Sequence, residues 1–440
     1  MNLRSPPVTV ESLTLRTPWN QIDNRQLFDA FRAKTENTTM HDLGEIAQWL
    51  ESHTIHHVSD VHATLPDPTF ISNGRQFVSF SSNNYLALAN HPRLVAAAKQ
   101  GLDRYGVGNC ESRLLGGDLD VYRELEARLG ALKHKSDAVL FVTGYMTNLG
   151  VLSTLVKAAT LARLHGYRPK TRRKYAYYSD EFNHISIREG IQMSGALRRT
   201  YRHCDMNHLE SLLQSADGTT PIIVSDGVFS MEGTITPLPD LVALAERYGA
   251  ILYIDDAHAT GVLGEHGGGT SEHFSCYSPH IIQMGTLSKA FGAIGGFVAV
   301  DRDMADVIRL TSSAYGFTCP PPPDQASALL AALDLMAEEP QRRQRLWDNQ
   351  RYFIERIRPL GYQLLSTETA IVPVLIGDTE LCVRYVNVLR EEGVHVDSVQ
   401  FPAVPLGQAR LRFMMNAAHT RTQIDHAIAV MESIGAMAVS

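Results

Sequence analysis

The chain has 440 residues, 44% of them hydrophobic and 20% charged, the balance of a soluble globular protein large enough for two cores. A formal charge of −7 excludes nucleic acid as a general partner, and five dispersed cysteines without a CxxC pair fit reduced thiols. No apolar run behind Arg4 makes a secretory signal and none is long enough to span a bilayer, so a cytoplasmic location is expected.

Residues 1–75 are polar, with helical periodicity around Gln26–Lys34 and His41–His53, and read as an N-terminal arm or accessory segment. From residue 76 helical and strand-like text alternates. Arg93–Tyr105 and Val121–Leu132 are predicted amphipathic helices and Ala138–Val142 a buried strand. Tyr175–Tyr178, Pro221–Ser225, Ala250–Ile254 and His280–Met284 are short β-rich runs. This alternation predicts an α/β fold with a mainly parallel central sheet, and ligands in such folds bind at the carboxyl ends of the strands. Pro320–Pro323 breaks the chain before a helix beginning near Asp324. Beyond it Ile371–Ile376, Val394–Val396 and Ala409–Met414 are predicted strands. The expected division is a large domain over 76–325 and a smaller α+β C-terminal domain over 326–440.

Lys289 lies in Gly285-Thr286-Leu287-Ser288-Lys289-Ala290-Phe291-Gly292, between a predicted strand and a glycine-rich turn. A lysine amine shifts its pKa readily when desolvated and then attacks carbonyls. Lys289 is therefore a candidate for a Schiff base with an aldehyde cofactor, pyridoxal 5′-phosphate (PLP), with Thr286 and Ser288 on its phosphate. Asp255-Asp256-Ala257-His258 follows another predicted strand. A carboxylate at a strand end can keep a pyridine nitrogen protonated, which makes the ring an electron sink, and His258 can hydrogen-bond the ring oxygen. Thr143-Gly144-Tyr145 opens a helix whose first amides suit a phosphate. His184, after the strand at Tyr175–Tyr178, can stack on the ring. The competing readings are a surface lysine, an acidic turn and a structural histidine. No second His/Asp/Glu cluster has ligand spacing, so no metal is expected.

The motifs stand in the order of a known family. They are Ser82-Asn83-Asn84-Tyr85-Leu86, Gly106-Val107-Gly108, Ser112-Arg113, Thr143-Gly144-Tyr145 and Asn183-His184. Asp226-Gly227-Val228-Phe229-Ser230-Met231-Glu232-Gly233, Asp255–His258, Thr286–Lys289 and Ala409-Arg410-Leu411-Arg412 complete them. Over roughly residues 76–435 the chain resembles the α-oxoamine synthases, PLP enzymes of fold type I in the aspartate aminotransferase superfamily. The resemblance implies a homodimer that condenses a small α-amino acid (glycine, alanine or serine) with an acyl thioester, with decarboxylation, to an α-amino ketone. It implies catalytic roles for Lys289, His184, Asp255 and His258. Gly144, Tyr145 and Thr286 would hold the phosphate, with Thr318 reaching in from a neighbouring subunit. Ser230 would lie near the ring oxygen, and Arg412 with Asn84 would bind the amino-acid carboxylate. The alternatives are a 2-amino-3-ketobutyrate CoA ligase-type enzyme, an aminotransferase, or a non-catalytic heterodimer partner, which typically lacks the lysine.

Some positions depart from the family pattern. Tyr122 stands where a histidine is usual, Glu111 where a small residue is usual, and Ser313-Ala314-Tyr315-Gly316-Phe317-Thr318 replaces the common Ser-Arg-Pro-Tyr. Lys157–Lys174 holds seven Lys/Arg and no acidic residue. That stretch is either a solvated insertion or a surface steering an acidic acyl-carrier protein or the phosphates of CoA.

Overall fold

The computed structural model describes residues 43–45, 61–65, 67–164, 166–168, 173–215 and 218–439. The chain divides into two units, Met1–Val61 and His62–Ser440. In the first, residues 43–45 form a helical turn. The periodicity at Gln26–Lys34 and most of that at His41–His53 lie outside the described residues.

The second unit begins with a hairpin of β1 (Thr69–Ser72) and β2 (Arg75–Ser79), then helices α1 (Pro92–Tyr105) and α2 (Asp120–Leu132). Next come β3 (Asp137–Phe141), α3 (Gly144–Leu164), β4 (Tyr175–Asp180), α4 (Ile185–Ser194), β5 (Leu197–Tyr201) and α5 (Met206–Gln214). They are followed by β6 (Thr220–Asp226), α6 (Leu238–Tyr248), β7 (Ile251–Asp255), α7 (Thr270–His273), β8 (Ile281–Thr286) and β9 (Gly296–Val300). Helices α8 (Arg302–Thr311), α9 (Ser313–Gly316), α10 (Pro323–Glu338) and α11 (Gln341–Ile357) lead to β10 (Gln363–Leu364) and β11 (Ile371–Gly377). The last elements are α12 (Thr379–Glu391), β12 (Val394–His395), β13 (Asp397–Val399), β14 (Ala409–Met414) and α13 (Arg421–Val439). No helix among the described residues is long and apolar enough to cross a membrane.

Local chemistry sets the ends of these elements. Pro92 opens α1 behind His91, whose Nδ1 accepts the Arg93 N–H at 3.3 Å, and Gly106 ends the helix at a φ of +79°.

The central sheet has seven strands in the order β3-β9-β8-β7-β6-β4-β5. The pairs β4/β5, β4/β6, β6/β7 and β7/β8 are parallel, and β9 runs antiparallel between β3 and β8. Successive strand residues serve opposite faces. Tyr177, Ile222 and Val224 join one hydrophobic cluster, while Ala176, Tyr178 and Ile223 join another. Both faces are therefore covered, which is why these strands read as apolar runs rather than alternations. A third cluster runs from Leu125 of α2 and Leu329 of α10 to Ile371 of β11 and Leu411 of β14.

A second, antiparallel sheet has the order β10-β11-β14-β13. The strand expected at Val394–Val396 pairs elsewhere. Val394 and His395 run parallel to Val78 and Ser79 of β2, so β12 completes a three-stranded sheet with the N-terminal hairpin. Periodicity carries no information about partners, and β2 supplies an edge that needs one.

Candidate active site

The strands of the large sheet deliver their ends to one rim. Asp226 closes β6, Asp255 closes β7 and Thr286 closes β8, while Thr143 and His184 follow β3 and β4. A cavity of about 240 Å³ opens there. Lys289, Asp255, His258 and His184 line it, together with Gly144, Tyr145, Ser230 and Thr286. Residues scattered over 146 positions of sequence thus meet at the carboxyl edge of a parallel sheet.

Hydrogen bonds fix the orientation of these groups. Asp255 Oδ1 accepts the Ala257 N–H at 2.9 Å and Oδ2 accepts from Asn148 Nδ2 at 2.7 Å. Asn148 Nδ2 also donates to Ser186 Oγ at 2.8 Å, and Asn148 Oδ1 accepts from the Tyr253 hydroxyl at 2.7 Å. Ser186 Oγ lies 2.7 Å from His184 Nδ1, and the Ser186 backbone N–H reaches the same nitrogen at 3.3 Å. A backbone N–H can only donate, so Nδ1 carries the lone pair and Nε2 carries the proton. Asn148 therefore couples the Asp255 carboxylate to the tautomer of His184.

Burial dominates the electrostatics. It lowers Lys289 from 10.5 to about 8, with Asp255 and Asp226 opposing and Arg412 adding to the shift. His258 falls well below the usual imidazole value through burial, reinforced by Lys289 and Arg412. His184 is lowered by burial against the pull of Asp255. Asp226 is raised well above a normal carboxyl, by burial first and then by Asp255, its register partner across β6 and β7. Its Oδ2 accepts the His184 N–H at 3.3 Å, and Oδ1 is buried without a partner among the described residues.

The other end of the cavity is built from backbone. The N–H groups of Gly144 and Tyr145 open α3 and make no hydrogen bond among the described residues. Thr286 Oγ1 sits 2.9 Å from Ser288 Oγ beside them. Gly296 lets this helix start rest on β9, because a Cβ there would stand 2.5 Å from the Gly144 nitrogen. Lys133 and Asp256 form a fully buried ion pair at 2.7 Å, and Asp256 also accepts from the Thr270 hydroxyl at 2.6 Å. Removing one member would leave a buried charge at a cost of about 3–5 kcal/mol, so the pair pins the loop after β7.

Three expected residues do not line this cavity. Thr318 lies in a small crevice with Arg113 and Tyr315, its hydroxyl donating to the Cys319 carbonyl at 2.8 Å. Asn84 Oδ1 accepts the Leu88 and Ala89 N–H groups at 3.1 and 3.3 Å, while its Nδ2 is buried and without a partner among the described residues. Arg412 donates to the Ser230 carbonyl at 3.3 Å and to Asp397 at 3.2 Å, and its Nε is likewise orphaned. Tyr122 is buried away from the cavity and donates to the Pro321 carbonyl at 2.8 Å. Of the basic stretch, Lys170 and Arg172 lie outside the described residues.

A larger cavity of about 540 Å³ adjoins the first and shares His184 and Ser230 with it. Phe182, Ile185, Met231, Phe401 and Val404 give it apolar walls, and Glu181, Arg188 and Glu232 contribute charges. Glu232 is paired with Arg410 at 3.4 Å, whereas Arg188 donates to the Glu181 carbonyl at 2.6 Å and forms no ion pair among the described residues.

Asp180, His203 and Cys204 bring three potential ligand atoms within 4.8 Å of one another. Both nitrogens of His203 are engaged, by Asp180 at 3.2 Å and Thr234 at 3.0 Å. The Cys204 sulfur lies 3.8 and 3.7 Å from the two nitrogens, and burial pushes the thiol up to about 12. The trio is a hydrogen-bonded brace.

Sequence reasoning missed roles for Asn148, Ser186, Asp226 and Tyr85. Asp226 carries a readable signal, a carboxylate ending a predicted strand as Asp255 does. Asn148 and Tyr85 matter through partners distant in sequence, and Ser186 links its near neighbour His184 to the distant Asn148, so no local pattern marks the three.

The family model for aminotransferases of class I and II matches residues 75–431. The 8-amino-7-oxononanoate synthase of Symbiobacterium thermophilum is 40% identical over 370 residues, which cover 84% of this chain and 91% of the relative. The 8-amino-7-oxononanoate synthase 1 of Bacillus subtilis is 38% identical over 389 residues, 88% of this chain and 95% of the relative. Among solved structures, a serine palmitoyltransferase variant from S. paucimobilis with bound PLP and myriocin matches with a TM-score of 0.82 at 28% identity. That match covers 91% of this chain and 98% of the other.

Proposed function

The chain belongs to the aminotransferase class I and II family and, within it, is a PLP-dependent α-oxoamine synthase, and from that premise we propose that it joins alanine to a seven-carbon acyl thioester ending in a carboxylate. The reading follows the bonds of 8-amino-7-oxononanoate, the compound in the relatives' name. Cutting between its ketone carbon and its amine-bearing carbon leaves an alanine skeleton without its carboxyl and a seven-carbon acyl group with a distant carboxylate. The new C–C bond replaces the Cα–H bond of alanine and the C–S bond of the thioester. The thiol leaves with a proton, and loss of carbon dioxide breaks the bond from Cα to the alanine carboxyl carbon, which a proton then replaces.

The second cavity carries this reading. It is apolar along its walls, begins at His184, and offers Arg188 one helical turn further along α4, about 6 Å away along the axis. A guanidinium without a carboxylate partner among the described residues suits the far end of such an acyl chain.

The residues of the first cavity fit PLP at both ends. Gly144 and Tyr145 offer free amides and Thr286 a hydroxyl for the phosphate, and Asp255 would face the pyridine nitrogen. His184 would lie on the ring, with His258 and Ser230 at its oxygen. Lys289 would hold the aldehyde carbon. When bound, the cofactor supplies a sink for the electron pair left on the amino-acid Cα. Lys289 Nζ, its pKa lowered by burial to about 8, takes the proton from that carbon. His184 Nε2–H donates to the thioester carbonyl oxygen, where charge builds as the new bond forms. Asn84 Nδ2 and Arg412 Nε, buried and without a partner within hydrogen-bond distance among the described residues, suit the alanine carboxylate.

We take a homodimer as the working assembly. Thr318 stands outside its own chain's cavity, and Leu114 touches Gly316 where two segments meet. Those segments expose Val107, Leu115 and Phe317, an apolar surface that a second copy would cover. The basic stretch supports delivery of the acyl group on an acidic carrier protein or on CoA. Cytoplasmic residence, and a boundary near residue 325 between large and small domains, belong to the same proposal.

A matrix of amino acids against acyl thioesters, read by thiol release and product mass, tests the reading. Alanine with the ω-carboxylated seven-carbon thioester is expected to give the highest kcat/KM. Arg188→Met should cut its advantage over the heptanoyl thioester by about 10- to 100-fold, the loss of one charge-assisted contact. A preference for serine with long plain acyl chains would replace this reading with the palmitoyltransferase one.

The Lys289 shift sets a pH dependence. Only the neutral amine attacks an aldehyde, and its pKa is lowered to about 8. Capture of PLP by the apoprotein, followed by absorbance, should therefore accelerate as pH rises through about 8 and level off above it. A midpoint at the ordinary lysine value of 10.5 would mean that burial does not act on this amine.

A further inference from the structure

Tyr85 is 1% exposed, yet it ends in a hydroxyl that must find a partner. That hydroxyl lies 2.7 Å from His258 Nδ1, its only hydrogen-bond partner among the described residues. Burial raises the phenol above its usual value, so it keeps its proton, and that proton needs an acceptor. Were Nδ1 to carry a hydrogen instead, the phenolic O–H would be buried with nothing to receive it. The hydroxyl therefore donates and Nδ1 accepts. His258 is neutral, with burial, Lys289, Arg412 and His184 all disfavouring its charged form. A neutral imidazole has one ring proton, so it resides on Nε2.

We propose that Tyr85 is a positioning residue that locks His258 in the Nε2–H tautomer, so that it presents a donor to the anionic ring oxygen of the cofactor. The inference rests on the cofactor assignment above. It gives a chemical role to the Asn83-Asn84-Tyr85 turn, which otherwise enters only through Asn84. The turn is itself held from the C-terminal part of the chain. Ala417 N–H donates to the Tyr85 carbonyl at 2.8 Å, and Asn416 Nδ2 donates to the Asn84 carbonyl at 2.7 Å.

The test is a double-mutant cycle read on the spectrum of bound PLP. Tyr85→Phe keeps the buried ring and removes only the hydroxyl. The pH midpoint of the bound cofactor's absorbance change should rise by about one unit, tenfold in proton affinity, because the ring oxygen loses a donor that favours its anion. His258→Asn retains a side-chain N–H that needs no tautomer, so adding Tyr85→Phe to it should change the midpoint no further. Additive shifts in the double variant would overturn the proposal and leave Tyr85 a packing residue. So would an unaltered midpoint in Tyr85→Phe. A wild-type protein without the absorbance of a bound PLP would instead remove the cofactor assignment beneath it.

Discussion

Replacing Lys289 with alanine is expected to lower amino-acid-dependent thiol release by at least about ten-thousand-fold, the scale at which a covalent anchor and a general base are lost together. Among the described residues Lys289 is the one lysine lining the candidate cofactor cavity, and none of these offers a second amine there. Its amine is also tuned for the task, since burial outweighs the opposing pull of Asp255 and Asp226 and lowers it to about 8. The wild type should be yellow and bleached by borohydride, which traps PLP covalently on the chain. The Lys289→Ala protein should retain no covalent PLP after the same treatment. Small primary amines added to the assay should restore part of the rate by carrying the proton. Turnover within tenfold of wild type would remove Lys289 from the chemistry.

Asp255→Asn should cost about a thousandfold in kcat/KM while leaving the fold intact. The change conserves shape, but an amide cannot keep a pyridine nitrogen protonated. It also disturbs the local bonds, because Asp255 accepts at both oxygens, from Ala257 N–H and from Asn148 Nδ2, and an amide has only one acceptor atom. A second consequence has the opposite sign. Asp255 raises the Lys289 pKa against burial, so its neutralisation should lower that pKa below about 8. PLP capture by the variant should then reach its plateau at lower pH even as turnover collapses. Stopped-flow absorbance and the thiol assay measure the two effects separately. A parallel fall of capture and turnover at every pH would mean that the carboxylate serves binding alone.

The framework of the candidate site was legible wherever its residues stand in a local pattern. Lys289, Asp255, His184 and Gly144 each follow a strand and stand in short motifs, and a parallel sheet must bring its strand ends to one rim. Asp226 could have joined them on the same logic. Asn148, Ser186 and Tyr85 could not, because each acts through a hydrogen bond to a residue 38 to 173 positions away. Thr318 and Arg412 show the converse. Their motifs mark them, but Thr318 lies in a separate crevice and Arg412 is engaged with Ser230 and Asp397.

The sequence by itself determined which elements form and which residue types reach the carboxyl edge, because hydrophobic period and turn chemistry act over a few neighbouring residues. Only the tertiary structure decided how those residues are set. It showed that β12 completes the N-terminal hairpin sheet, that Asn148 ties Asp255 to His184, and that the Tyr85 hydroxyl lies 2.7 Å from His258 Nδ1. The reason is physical. A pKa, a tautomer or an orphaned donor depends on burial and on partners within hydrogen-bond reach, and for these residues folding from distant parts of the chain supplies both.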